Sequence, residues 1–326
     1  MLSKADRLDM VLTPHPLTKD IAMNSLDQLK KLCRLVADTA DISAIEHFQP
    51  EEVTTNPTLV RAAVEANQLP RGSLNMDSTS SLLNEANVLL GVRLLHSVPG
   101  RVSTEVDARL SFNTPGTIEA ARHIVRCYER HGQSREKVLV KIAATWEGIE
   151  AARILEQEGI HCNMTLIFSL VQALTCAQAG ATLISPFVGR IYDWHLKKES
   201  LAHFQAEHDP GIRAVKEIQK HFRLHGYATQ IMAASFRTTE QVKALSDCEL
   251  LTISPGLLSD LESEYETVQP LILQLLPDHR EIPDPMTEKH FRWWMNEDEA
   301  ATVLLADGIR RFARDIEALE QWFSEA

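Results

Sequence analysis

What this chain lacks narrows its identity first. Its five cysteines, Cys33, Cys127, Cys162, Cys176 and Cys248, form no CxxC pair, and the odd count fits a reducing compartment rather than a disulfide framework or a zinc site. No apolar run approaches the length of a membrane span. The first twenty residues hold neither an apolar core with a small-residue cleavage site nor an Arg-rich transit pattern, so the expected location is the cytoplasm. Positive charge is in deficit: the formal net charge is -12, which argues against a nucleic-acid partner or an anionic membrane surface. The histidines show no ligand spacing at any strand end, and neither a metal nor a cofactor is expected. What is present, 44% hydrophobic and 24% charged residues, is ordinary for a soluble globular protein.

The 326 residues divide into an arm, 1–24, without clear periodicity, and a domain, 25–326. Ser25 to Leu32 opens with Ser25 as a candidate cap and has helical spacing. Strand-like segments follow at 34–38, 52–56, 102–107, 137–144, 161–167, 181–188, 229–236 and 250–254. Helical segments alternate with them at 39–48, 59–64, 82–97, 114–132, 145–159, 169–180, 209–226 and 238–246, and 67–80 is polar and rich in breakers, a surface loop. Strand–helix alternation implies parallel strands joined by right-handed crossovers. Eight such units predict a closed (β/α)8 barrel of the TIM type with additional N- and C-terminal helices. A doubly wound open sheet is the competing arrangement, but it normally carries a glycine-rich phosphate loop after its first strand, and Asp38-Thr39-Ala40-Asp41 holds no glycine. Past residue 287 the pattern reads as two amphipathic helices. Leu304, Leu305, Ile309, Phe312, Ile316 and Leu319 set the face by which the last one packs back on the barrel.

One residue stands out within this pattern. Lys141 sits inside the apolar run 137–144, where a lysine is costly to bury unless something pairs with it or uses it. Desolvation disfavours the charged amine, and a neutral amine at a strand end is a nucleophile for a carbonyl. In a barrel the chemistry collects at the C-terminal ends of the strands. Those ends carry Asp38, Thr55 with Asn56, Glu105, Lys141, Asn163 with Thr165, Ser185 with Arg190 just beyond, and Ser235 with Arg237. Each has a plain alternative. Asp38, Ser185 or Ser235 taken singly is more often a helix cap; Glu105 and Lys141 alone read better as a structural ion pair; the arginines could be surface residues; Asn56 before Pro57 is a common turn pair. Seven strands delivering polar groups at one end shift the balance, since the plain reading then needs a separate reason for each.

The runs VADTADI (36–42), TTNPTLV (54–60), GRVSTEVDARLS (100–111), KIAATWEGIEAARILEQEGIHCNMTLIFS (141–169), ISPFVGRIYDW (184–194) and ASFR (234–237) resemble those of the classical, long-chain transaldolase family. The resemblance extends from about residue 33 to the C-terminal helices and implies the same barrel fold. It implies a transaldolase, moving a dihydroxyacetone unit between sugar phosphates without a cofactor. By position it makes Lys141 the Schiff-base lysine and Asp38 the carboxylate that exchanges the proton of the C4 hydroxyl. Glu105 and Thr165 become the pair that holds a catalytic water. Asn56, Asn163 and Ser185 hold the dihydroxyacetone head, Phe187 is a pocket aromatic near the water, and Arg190, Ser235 and Arg237 form the phosphate site. The family also implies a homodimer, with the C-terminal helices as the candidate interface.

Two alternatives accompany this reading. The fructose-6-phosphate aldolase relatives release the three-carbon unit instead of transferring it, but they carry Gln and Tyr where this chain has Glu105 and Phe187. A non-catalytic barrel paralogue is disfavoured by the intact constellation. The chain departs from the family in its arm, 1–24, and in a shortened stretch between Asn56 and Glu105, around 67–80, near the rim of the expected site.

Overall fold

The computed structural model describes residues 23–66, 79–274, 282 and 285–324. The expected arm, apart from its last two residues, and the expected loop as far as residue 78 lie outside the described residues. Eight strands, β1 (Arg34–Asp38), β2 (Glu52–Thr54), β3 (Val102–Glu105), β4 (Val138–Ala143), β5 (Cys162–Ile167), β6 (Leu183–Pro186), β7 (Gln230–Ala233) and β8 (Leu250–Ile253), close in sequence order into a barrel. Every pairing is parallel, including the closing one between β8 and β1. Among the described residues no helix is long and apolar enough to cross a membrane.

The helices are α1 (Ser25–Leu29), α2 (Ile42–Phe48), α3 (Pro57–Glu65), α4 (Thr79–Leu95), α5 (Thr114–Arg130), α6 (Trp146–Gln157), α7 (Leu170–Gln178), α8 (Val188–Glu199), α9 (Pro210–His225), α10 (Thr239–Ala244), α11 (Pro255–Ser263), α12 (Glu288–Glu297) and α13 (Glu299–Ser324). Their starts follow local capping chemistry. Asp41 accepts from the Ser43 N–H at α2, Asn56 from Leu59 at α3, Thr145 from Gly148 at α6, and Thr238 from Gln241 at α10. At α1 the cap is Asn24 rather than Ser25, whose hydroxyl donates instead to the Glu266 carbonyl.

Helix α8 departs from the sequence expectation. Residues 181–188 read as one strand because Ile184, Phe187 and Val188 keep the run apolar, yet β6 ends at Pro186. The helix then begins at Val188, and the residue before it, Phe187, makes no side-chain cap bond, so the usual start signal is missing. Residues 188–199 therefore form the helix between β6 and the irregular segment before α9. Strands β3 and β7 are likewise shorter than the expected segments 102–107 and 229–236. β7 stops at Ala233, and Ser235 turns into the left-handed region with φ 64°.

Two apolar layers follow from the period of two. Leu35, Ala37, Val140, Ile142, Ile184 and Leu251 face outward into the core shared with the helices. Val36, Leu139, Leu183, Met232 and Leu250 form a separate cluster, a plug inside the barrel. Two residues further along the same strands stand Asp38, Lys141, Ser185, Ala234 and Thr252, all lining one cavity above the plug. At the opposite end, buried Glu52 accepts from Arg34 at 3.2 Å and from Arg101 at 2.9 Å, tying the starts of β1, β2 and β3 together. Helix α13 lies against α3, α4, α8 and β5. Its Phe312 also lines the cavity, while Thr58 and Arg61 of α3 bond to Asp315 and Arg109 bonds to Glu320.

Candidate active site

The cavity at the C-terminal ends of the strands has a volume of about 430 Å³. Asp38, Asn56, Lys141, Ser185, Phe187, Arg190, Ser235 and Arg237 line it. Glu105, Asn163 and Thr165 stand behind that lining, buried. The eleven candidates thus converge on one place from seven strands and the segments that follow them.

Lys141 is 4% exposed, so its amine meets only this site. Its Nζ lies 3.5 Å from Glu105 Oε2 and donates to the Thr55 carbonyl at 3.4 Å. The pairing follows from register, because Glu105 and Lys141 are Cα partners across β3 and β4, and Lys141 and Asn163 are partners across β4 and β5. Asn163 in turn donates to Ser103 at 3.0 Å and accepts from Ser185 at 2.6 Å, a closed polar chain across three strands. This bonding takes Ser185 away from the capping role open to it in sequence. Asp38 is also not a cap, since Asp41 fills that position at α2. Asn56 does cap α3, and it lines the cavity as well.

The electrostatics separate the two carboxyls from ordinary surface acids. Burial pushes Glu105 up to about 7; the Lys141 and Arg190 cations oppose the rise and the Asp38 charge adds to it. Burial raises Asp38 too, and Lys141 and Arg190 pull it back. Glu105 Oε2 and Thr165 Oγ1 are both buried without a hydrogen-bond partner among the described atoms. The partner of such a group inside a protein is usually ordered water or a ligand.

Arginines close one side of the cavity. The Arg190 guanidinium lies over the Phe187 ring at 4.9 Å and the Phe312 ring at 5.8 Å. Burial, then the nearby Arg311 and Arg237 cations, lower its pKa from the usual guanidinium value. Phe187 itself packs edge-on against Phe168 at 5.7 Å. Arg237 is held by Asp193 on α8 and by the Ser235 carbonyl.

Sequence reasoning missed several members. Thr54 and Thr252 line the cavity, with Oγ1 atoms that have no hydrogen-bond partner among the described residues. Thr252 carried a signal, standing two residues beyond the plug residue Leu250. Phe312 carried only a packing signal, the apolar face of the last helix, and nothing that pointed to the cavity, because it arrives from α13, almost sixty residues past the last strand. Gln172 is also part of the support: its Nε2 donates to the carbonyls of Ala144 and Leu166, and its Oε1 accepts from the Phe168 N–H. It thereby pins an irregularity in β5, where the register shifts between Met164 and Ile167 and Leu166 takes φ 56°.

Residues 35–323 match the family described as Transaldolase/Fructose-6-phosphate aldolase. The chain belongs to the transaldolase/fructose-6-phosphate aldolase family. Among its relatives, Transaldolase A of Salmonella typhimurium is 46% identical over 314 residues, covering 91% of this chain and 98% of that protein. A protein named Transaldolase from Marinobacter nauticus is 48% identical over 314 residues, covering 91% and 97%. Transaldolase A of Escherichia coli is 44% identical over 312 residues, covering 91% and 98%. The matched span of this transaldolase-family chain includes all eleven candidate residues and the α13 face that lines the cavity.

Proposed function

We propose that this chain is a transaldolase of the pentose phosphate pathway. It carries a dihydroxyacetone unit from a ketose phosphate (sedoheptulose 7-phosphate or fructose 6-phosphate) to an aldose phosphate (glyceraldehyde 3-phosphate or erythrose 4-phosphate). The observation that carries this reading is the Lys141 amine on the cavity floor with a carboxyl of raised pKa on either side, Glu105 behind it and Asp38 in the lining.

In this reading Lys141 Nζ adds to the C2 carbonyl of the ketose. Glu105, protonated over half the population below its pKa of about 7, gives its proton to the carbinolamine hydroxyl. That hydroxyl leaves as water beside Thr165, and a protonated imine results. Asp38 then takes the C4 hydroxyl proton. The C3–C4 bond breaks, its electron pair moves into the imine to form an enamine, and the aldose departs. The imine cation and Arg190 both favour the ionised form of Asp38 that this step needs. An incoming aldose reverses the sequence: the enamine carbon attacks the aldehyde carbon, and Asp38 returns the proton to the new hydroxyl. Water, deprotonated by Glu105, hydrolyses the imine and frees Lys141. Asn56, Asn163 and Ser185 hold the three-carbon fragment while no aldose is present, and Phe187 shields the imine. Arg190, Ser235 and Arg237 bind the terminal phosphate, where guanidinium forks match its oxygens.

The test is borohydride trapping with fructose 6-phosphate, followed by mass spectrometry. We expect a reduced three-carbon adduct on the peptide carrying Lys141 and none in Lys141→Arg, whose guanidinium stays protonated. An unmodified Lys141 peptide in the active enzyme overturns the Schiff-base role. A coupled assay with erythrose 4-phosphate, run beside a control without acceptor, separates transfer from simple cleavage.

A further inference from the structure

We propose that Asp193 is a positioning residue that aims Arg237 at the substrate's terminal phosphate and thereby sets the preference for phosphorylated over unphosphorylated sugars. The inference rests on the reading of Arg237 as a phosphate ligand given above.

Asp193 lies on α8, three residues after Arg190 and four after Gly189, so the three share one side of the helix. Its Oδ2 accepts from Arg237 Nε at 3.0 Å and from Nη2 at 2.8 Å. Arg237 Nη1 donates to the Ser235 carbonyl at 3.0 Å and to its hydroxyl at 3.3 Å. Gly189 makes room for this posture. A Cβ there would stand 2.8 Å from Arg237 Nη1 and 2.1 Å from the Ser235 carbonyl oxygen. The guanidinium is therefore laid across the start of α8, gripped on the edge that carries Nε.

A guanidinium has five N–H donors in a fixed plane. Asp193 takes one on Nε and one on Nη2, while the Ser235 carbonyl and hydroxyl and the Phe236 carbonyl share those of Nη1. The second N–H of Nη2 is left on the side away from Asp193, where a phosphate oxygen can accept it in a charge-assisted bond. Arg237 must also lie near a like charge, because its cation acts on Arg190 strongly enough to help lower that group's pKa. A carboxylate on the far edge offsets the repulsion and keeps the two arginines converging. As a plain surface ion pair the contact would be worth little, with the side chains 38% and 50% exposed. Its value lies in direction rather than in folding.

The experiment compares Asp193→Ala, Asp193→Asn and Arg237→Ala in the full-length enzyme. Each is assayed with fructose 6-phosphate and erythrose 4-phosphate, and with unphosphorylated fructose and glyceraldehyde. For Asp193→Ala we expect KM for the phosphorylated pair to rise roughly three- to tenfold, with a matching fall in the kcat/KM ratio of phosphorylated to unphosphorylated substrates. Asp193→Asn, which keeps one acceptor oxygen, should fall between it and wild type, and the thermal midpoint should move by no more than about 2 °C. An unchanged or lower KM in Asp193→Ala, with Arg237→Ala still selectively impaired on phosphorylated sugars, overturns the role of Asp193 alone. Equal losses on both substrate classes in Asp193→Ala also overturn it. If Arg237→Ala itself shows no selectivity, the phosphate reading falls and this inference falls with it.

Discussion

Glu105 is buried at 6% exposure, pairs with Lys141 on the cavity floor, and still keeps an oxygen without a hydrogen bond among the described residues. A carboxyl so placed costs stability when ionised, and that cost has a sign. Its pKa is raised from 4.5 to about 7, so between those values the folded state keeps a proton that the unfolded chain releases. The contribution is fully present below about pH 4.5 and is lost as pH rises through 7. Urea unfolding across this window should show stability declining with pH in the wild type and a flatter profile in Glu105→Gln. The same substitution should slow formation and hydrolysis of the imine, read as the rate of borohydride-trappable adduct, while removing the titration near neutrality. Asp38 predicts a different loss. Because it lines the cavity without ion-pairing to Lys141, Asp38→Ala should still give the trapped adduct but fail to release the aldose. Absence of the adduct in that variant would reverse the two assignments.

At the scale of single elements, β5 shows how a strand is bent to purpose. A regular strand would carry the residues after Thr165 straight into α7. Instead the register shifts between Met164 and Ile167, and Leu166 is left in a backbone region that a branched side chain rarely occupies. Gln172, fully buried one turn into α7, holds that conformation with both its amide hydrogens and its carbonyl oxygen. Gln172→Leu keeps the volume but strands the Leu166 and Ala144 carbonyls and the Phe168 N–H. We expect a loss of about 3 kcal/mol or more in chemical denaturation, together with slower imine turnover through displacement of Thr165. Legibility at this scale was uneven. β1 and β4 were plain because their runs end at a charged or capping group. α8 was hidden because an apolar strand runs into it through Pro186 and Phe187 with no capping side chain. The ends of β3 and β7 were overrun because apolar residues such as Val106 and Phe236 are buried beyond Glu105 and Ala233, where the strands end.

The whole molecule decides how the cavity is walled. Without α13 it would be an open bowl on the barrel's end; with it, Phe312 joins the lining and its ring stands 5.8 Å from the Arg190 guanidinium. The approach is close at Gly308, where a Cβ would stand 2.7 Å from Leu166 and 3.3 Å from Arg190 Nη1. Gly308→Val should therefore lift the helix off the barrel. We expect higher KM for both substrates, and faster proteolysis of the C-terminal segment, with the barrel's circular dichroism retained. Unchanged kinetics would show that α13 is not a wall of the working site.

The sequence by itself determined the barrel and the identities of its polar ring. Parallel strands buried on both faces must be apolar, so polar residues at their ends stand out, and a lysine in such a run is conspicuous. That is why Asp38, Glu105, Lys141, Asn163 and Ser185 could be named from local pattern. Tertiary structure alone decided which atoms meet. Register across β3, β4, β5 and β6 set Glu105 beside Lys141 and Asn163 within reach of Ser185. Closure of the barrel and the return of α13 brought Phe312 to the cavity, and the start of α8 brought Asp193 to Arg237. These contacts join residues tens to hundreds of positions apart, and no periodicity in the chain encodes a distance between elements that only packing brings together.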